Sequence, residues 1–136
     1  MATKMDTKKG FSVNIEDATV KNTDFRRVIY TAKYSQLVLM TLRPGEEIGM
    51  EAHDDGDQFF RFEEGQGKVI INGNEYPVRD GSAVIVPSGA MHNVVNTGKG
   101  ELKLYTIYSP PEHQDKVVHA TKAEVFKEHF DGKTTE

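Results

Sequence analysis

The sequence contains no cysteine. Disulfides, thiolate metal sites and cysteine nucleophiles are therefore excluded. No apolar run approaches the roughly 20 residues that span a bilayer. The opening stretch, MATKMDTKKGFSVNIED, carries charge but no apolar segment of the kind that directs secretion. The expectation is a cytoplasmic protein with no membrane partner. No basic cluster stands out against a net charge of -4 and an isoelectric point of about 5.7, which argues against nucleic acid as a partner. Internal repeats and low-complexity linkers are also absent.

What is present suits one ordinary domain. The chain has 136 residues, 37% of them hydrophobic, with a mean hydropathy of -0.56. A chain of this size buries roughly two-thirds of its unfolded surface, enough for a real core. Residues 1–11 are polar and basic and are expected to be a flexible N-terminus. From about Ser12 to Tyr108 the texture is that of strands. Short runs rich in Val, Ile, Tyr and Phe occur at 25–31, 36–42, 58–63, 67–72, 75–78, 82–87, 93–96 and 102–108. Turn residues separate them, and Asn72-Gly73 is a strong hairpin signal because a type I′ turn needs positive φ at both positions. Many short, evenly spaced strands point to an all-β sandwich or barrel. Pro110 and Pro111 should end the last strand. Beyond them Thr121 and Glu124 have the spacing of a capping box, which predicts a short C-terminal helix over about 122–130.

Two stretches carry the chemistry. The first runs Gly45, five residues, Glu51, one residue, His53, four residues, Gln58, six residues, Gly65. The second runs Gly81, five residues, Pro87, one residue, Gly89, two residues, His92, three residues, Asn96. The second resembles, at every fixed position, the second sequence motif of the cupin superfamily. The first keeps the spacing of the first cupin motif but departs at two positions: Glu51 stands where a histidine is usual, and Gln58 where a glutamate is usual. Both replacements still offer oxygen donors. The resemblance implies a single-domain jelly-roll β-barrel of cupin type, over residues 12–136, with a C-terminal extension.

The residues support this independently. Positions 51 and 53 face the same side of a strand. The DDGD turn brings Gln58 opposite them, and His92 arrives from another strand after the Pro87–Gly89 turn. Glu51, His53, Gln58 and His92 can then converge as metal donors. Two imidazoles and one carboxylate are the ligand set of non-haem Fe(II) oxygenases, and Mn, Ni and Zn also accept such sites. One divalent transition metal ion is expected, with Gln58 either a ligand or a hydrogen-bonding neighbour of what the metal binds. Asp57 is an alternative acidic candidate, but that register spoils the step to Gly65. Asp54 and Asp55 read as solvated turn residues. Gly81, Pro87, Gly89 and Asn96 read as structural. Tyr105 and Tyr108 read as core residues within reach of a ligand. His113 is a candidate acid or base if the tail folds over the site, and otherwise an exposed loop residue.

Fold alone does not choose a function. The expected one is a metal-dependent enzyme, dioxygenase- or isomerase-like, acting on a small molecule in the interior. Glu51 and His113 are its candidate proton-transfer groups. The alternative is a non-enzymatic module that binds a small molecule or a metal. Strand parity turns Arg61 outward and leaves only Arg26 or Arg27 to supply an inward cation, so a mostly neutral or apolar ligand is expected. By resemblance the chain is also expected to form a homodimer.

Overall fold

A computed structural model describes residues 5–136; residues 1–4, part of the N-terminus expected to be flexible, lie outside it. The described part of that segment is exposed but touches the rest of the chain. The backbone N–H groups of Lys9 and Gly10 donate to the Glu136 carboxylate at 2.7 and 2.9 Å, and Phe11 stacks on Tyr30. All eight sequence runs form strands: β1 (Arg26–Thr31), β2 (Gln36–Leu42), β3 (Asp57–Glu64), β4 (Gln66–Ile71), β5 (Asn74–Arg79), β6 (Ala83–Val86), β7 (His92–Asn96) and β8 (Leu102–Ser109). A two-residue strand, β9 (Val118–His119), joins them.

The strands make two antiparallel sheets, ordered β6-β3-β8-β2-β1-β9 and β5-β4-β7. Their inner faces share one core, in which Val38, Met40, Phe60, Phe62 and Leu104 of the first sheet meet Val69, Val78 and Val94 of the second. The layout is that of a jelly roll. Among the described residues the hydrogen bonding stays in two sheets and does not close into a barrel, so of the expected jelly-roll β-barrel the jelly roll is what the sheets show. Strand β3 shows why the inner face is legible from sequence. Gln58, Phe60 and Phe62 are buried while Phe59, Arg61 and Glu63 are half-buried on the other side, the alternation that a pleated strand imposes. The Asn72-Gly73 turn has φ of 48° and 83°, as a type I′ hairpin requires.

Two local expectations fail. The stretch from Ser12 does not begin in strand: Ile15–Lys21 is a short helix, α1. The Asn14 side chain caps it by accepting from Asp17 N–H, and the Lys21–Asp17 ion pair at 2.9 Å closes one turn. Seven residues are too few to display helical periodicity, so only the cap marks this helix. At the other end the expected helix over 122–130 reduces to a 3-10 turn at Lys122–Glu124, and Thr121 makes no side-chain cap bond. Tertiary contacts override the capping signal here. The Lys122 ammonium donates to the Glu47 carbonyl, Phe126 packs edge-on against His119, and the Glu128 carboxylate is drawn inward to His113. A continuous helix would not carry all three.

Gly65, the last position of the first motif, has φ of +100°, and a Cβ there would stand 2.4 Å from the Glu101 carbonyl oxygen. Both conformation and space therefore demand glycine. Gly65→Ala should lower unfolding stability by about 2–3 kcal/mol, read as a shifted urea midpoint. An unchanged midpoint would contradict the close approach of these two backbones.

Candidate metal centre

The chain leaves β2 and runs back beside β7. Glu51 N–H donates to the His92 carbonyl at 2.9 Å, and His92 N–H donates to the Glu51 carbonyl at 2.8 Å. This antiparallel bridge sets the two side chains next to each other. His53, two residues on, shares the face of Glu51. Its carbonyl accepts from Gly89 N–H at 2.8 Å, so the turn of the second motif holds the histidine of the first. The DDGD loop is tied to the same turn. Ser88 N–H donates to the Asp57 carboxylate at 3.0 Å and Ser88 Oγ to the Asp54 carbonyl at 2.6 Å. Asp54, Asp55 and Asp57 are exposed, and Asp57 is engaged in the turn. Asn96 is structural as expected, donating to the Leu42 and Gly100 carbonyls.

The structure thus gathers Glu51, His53 and His92, whose ligand atoms all lie within 4.8 Å of one another. Glu51 Oε1 is 3.4 Å from His53 Nε2 and 3.9 Å from His92 Nε2. Gln58 completes the cluster, with Oε1 3.2 Å from His92 Nε2. Burial works to raise the Glu51 pKa, but His53, with smaller help from His92 and Arg26, holds it below the ordinary carboxylate range. The neighbouring Glu51 carboxylate in turn raises His53 above the usual histidine value, against the opposing effect of burial.

The hydrogen bonds around Gln58 and His92 test whether a cation fits. His92 Nδ1 lies 3.0 Å from the Ala90 carbonyl, which can only accept, so the Nδ1 carries hydrogen and a neutral ring keeps its lone pair on Nε2. Thr106 Oγ1 donates to the Phe59 carbonyl at 2.8 Å and so accepts from the Gln58 amide N–H at 3.0 Å. That fixes the amide, turning Oε1 toward His92. Two lone-pair-bearing atoms, one on Gln58 and one on neutral His92, then face each other in a buried place where both side chains are 2% exposed. A proton or a cation between them relieves the repulsion. His53 Nε2 is also buried and makes no hydrogen bond. The donor set therefore fits a metal ion.

A second layer comes from the tail, which the sequence did not place. Glu112 Oε1 lies 3.6 Å from His53 Nδ1, on the far side of the ring from Glu51, and burial raises its pKa. His113 is buried, not an exposed loop residue. Its Nδ1 is paired with Glu128 and its Nε2 lies 3.3 Å from the Tyr108 hydroxyl. Burial, with Arg26 adding to it, depresses the His113 pKa, and Glu128 opposes them. Tyr108, edge-on to His53, is kept neutral by burial, while Tyr105 lies half-buried against Phe59 on the other side of the sheet. His113 thus reaches the cluster only through Tyr108. The adjacent Glu112-His113 pair was the one visible signal, but no pattern showed that the tail folds back.

The family model for the cupin domain matches residues 38–108. The chain belongs to the cupin family. This cupin is 47% identical over 122 residues to Uncharacterized protein YrkC of Bacillus subtilis, covering 85% of the chain and 66% of that protein, so it spans just under two thirds of that relative's length. The crystal structure of BH2720 from Bacillus halodurans superposes with a TM-score of 0.84 at 44% identity, over 87% of this chain and 94% of that one. A third relative, the Oxalate-binding protein of Thermotoga maritima, is 28% identical over 50% of this chain and 56% of its own length.

Removing Glu128 would leave the buried His113 Nδ1 without its partner and unpin the tail. Glu128→Ala should cost about 2 kcal/mol of stability and speed hydrogen exchange at residues 112–114. Unaltered exchange there would show that the pair does not hold the tail.

Proposed function

We propose that this cupin holds one divalent transition metal ion, Fe, Mn, Ni or Zn, through Glu51, His53 and His92, with the Gln58 amide oxygen as fourth donor. It would use that ion on a small molecule bound between the sheets, as an enzyme of dioxygenase or isomerase type. The observation that carries this is the pair of facing lone pairs on Gln58 Oε1 and His92 Nε2, set beside two further ligand groups. When bound, such an ion supplies Lewis-acid polarisation or, as iron, oxygen chemistry.

The chain's own residues prepare the site. The Ala90 carbonyl commits the His92 proton to Nδ1, and Glu112 favours the same tautomer at His53, leaving both Nε2 atoms for the ion. Thr106 prevents the Gln58 amide from flipping. Phe60 and Tyr108 wall the cluster on its inner side. Glu51 is the carboxylate placed to move a proton on a bound molecule. His113 acts on the cluster only by holding Tyr108, which makes it a positioning residue.

A second reading, a non-enzymatic binding module, has support in the relative named for binding oxalate. In both readings the partner is a small molecule rather than nucleic acid or membrane. No helix among the described residues is long and apolar enough to cross a membrane. A cytoplasmic homodimer belongs to the proposal, and the exposed Val118, Val125 and Phe126 of the tail support the dimer.

Elemental analysis of protein purified without chelating resin tests the proposal. Wild type should carry near-stoichiometric transition metal, and His53→Ala/His92→Ala should carry none. Gln58→Glu, which exchanges a neutral oxygen for an anionic one, should tighten binding by roughly tenfold in chelator competition. A wild type that neither contains nor takes up Fe2+, Mn2+, Ni2+ or Zn2+ would overturn the reading.

A further inference from the structure

One buried charge is unused by the cluster as described. Arg26 and Arg27 are adjacent on β1 and face opposite ways. Arg27 points outward and pairs with Asp24 at 3.6 Å. Arg26 is 6% exposed, and its strand neighbours across the sheet are Met40 and His119. Its Nη1 lies 3.3 Å from His119 Nδ1, its guanidinium lies 5.4 Å from the Phe25 ring centroid, and its Nε is buried with no hydrogen-bond partner. Among the described residues no carboxylate lies within ion-pair distance of it. A buried guanidinium without a counter-ion is costly, and proteins retain one where something anionic completes it.

Its place in the strand shows what it faces. Arg26 stands opposite Met40, which is wholly buried in the core, so its side chain turns to the inner face of the sheet, the face that also carries Gln58 and Tyr108. At its ligands a divalent ion would be only half balanced, by the Glu51 carboxylate. Glu128 is already engaged with His113 and Glu112 stands beside His53, so neither is paired with Arg26. The guanidinium keeps its charge without a carboxylate partner in a region of low dielectric.

We infer that the interior carries an anion subsite centred on Arg26, and that the ligand of this cupin is a small carboxylate spanning from the metal to the guanidinium. This inference rests on the metal reading above and narrows it, replacing the neutral or apolar ligand that the sequence led us to expect. A carboxylate matches the planar fork of arginine with two parallel hydrogen bonds. A second oxygen of the same molecule, from a hydroxyl, a carbonyl or another carboxylate, would face the ion. Val38, Met40 and Phe60 fill the surrounding core and keep the ligand small.

The test uses the full chain loaded with Mn2+ and titrated calorimetrically with lactate, malonate and oxalate, each beside its neutral amide, and with inorganic phosphate. At least one carboxylate should bind tenfold or more tightly than its amide, on the order of a charge-assisted hydrogen bond. Arg26→Gln should lose that preference by roughly 10- to 100-fold while still binding Mn2+, and Arg26→Lys should keep part of it. Carboxylates no better than their amides, an undiminished preference in Arg26→Gln, or phosphate binding above every carboxylate would overturn the inference. Should Arg26→Gln fail to fold, the wild-type comparison of acid with amide decides alone. Failure to take up Mn2+ is a separate result that strikes the metal reading. The metal-free chain, melted with each acid and each amide, would then decide the anion subsite, which stands only if acids stabilise it more.

Discussion

The reciprocal pair of backbone hydrogen bonds between Glu51 and His92 is the joint on which the site depends. It is an isolated bridge outside the main ladders, yet it fastens the segment after β2 to β7. Because facing residues in such a bridge put their side chains on one side, it brings a carboxylate and an imidazole together although 40 residues separate them. The Gly89–His53 bond extends the joint by one turn and brings in the second imidazole. Neither contact involves a side chain, so the ligand geometry is built on main chain that substitutions at the ligands themselves leave in place.

Around that joint the polar groups are arranged by exclusion. Each neighbour that can only accept or is already donating removes an option from the next. The Ala90 carbonyl takes one ring hydrogen of His92, and Thr106, having given its proton to Phe59, takes one amide hydrogen of Gln58. With the ring uncharged, the remaining lone pairs face each other, and burial leaves no water to separate them. The same logic applies to Arg26, which has no carboxylate partner among the described residues and a buried Nε without a hydrogen bond. Taken together, the interior sets acceptors that suit a cation and a guanidinium that suits an anion on the inner faces of the fold.

The tail completes the site from outside the strand framework. Glu112 reaches His53, and His113 joins Tyr108 to Glu128. These contacts explain why the tail forgoes the helix its capping box encodes. A few tenths of a kcal/mol per residue of helix propensity do not compete with pairing a buried histidine and carboxylate, whose separation would leave polar groups unsatisfied at about 1–3 kcal/mol each.

The sequence by itself determined the eight main strands, their inward faces, the Asn72-Gly73 hairpin and the convergence of Glu51, His53, Gln58 and His92. Each is written in a short-range pattern: alternation with period two, turn residues that need special φ, and ligand spacing matched to a known motif. Helix α1 was marked only by its Asn14 cap, too faint a sign beside so much strand. The tertiary structure alone decided that the sheets stay open, that the tail turns inward, that His113 is buried behind Tyr108, and that Arg26 rather than Arg27 turns inward. These depend on contacts between residues far apart in the chain, 93 positions in the case of Arg26 and His119. Which arginine turns inward depends on the register of β1 against β2 and β9, and register is a property of paired strands.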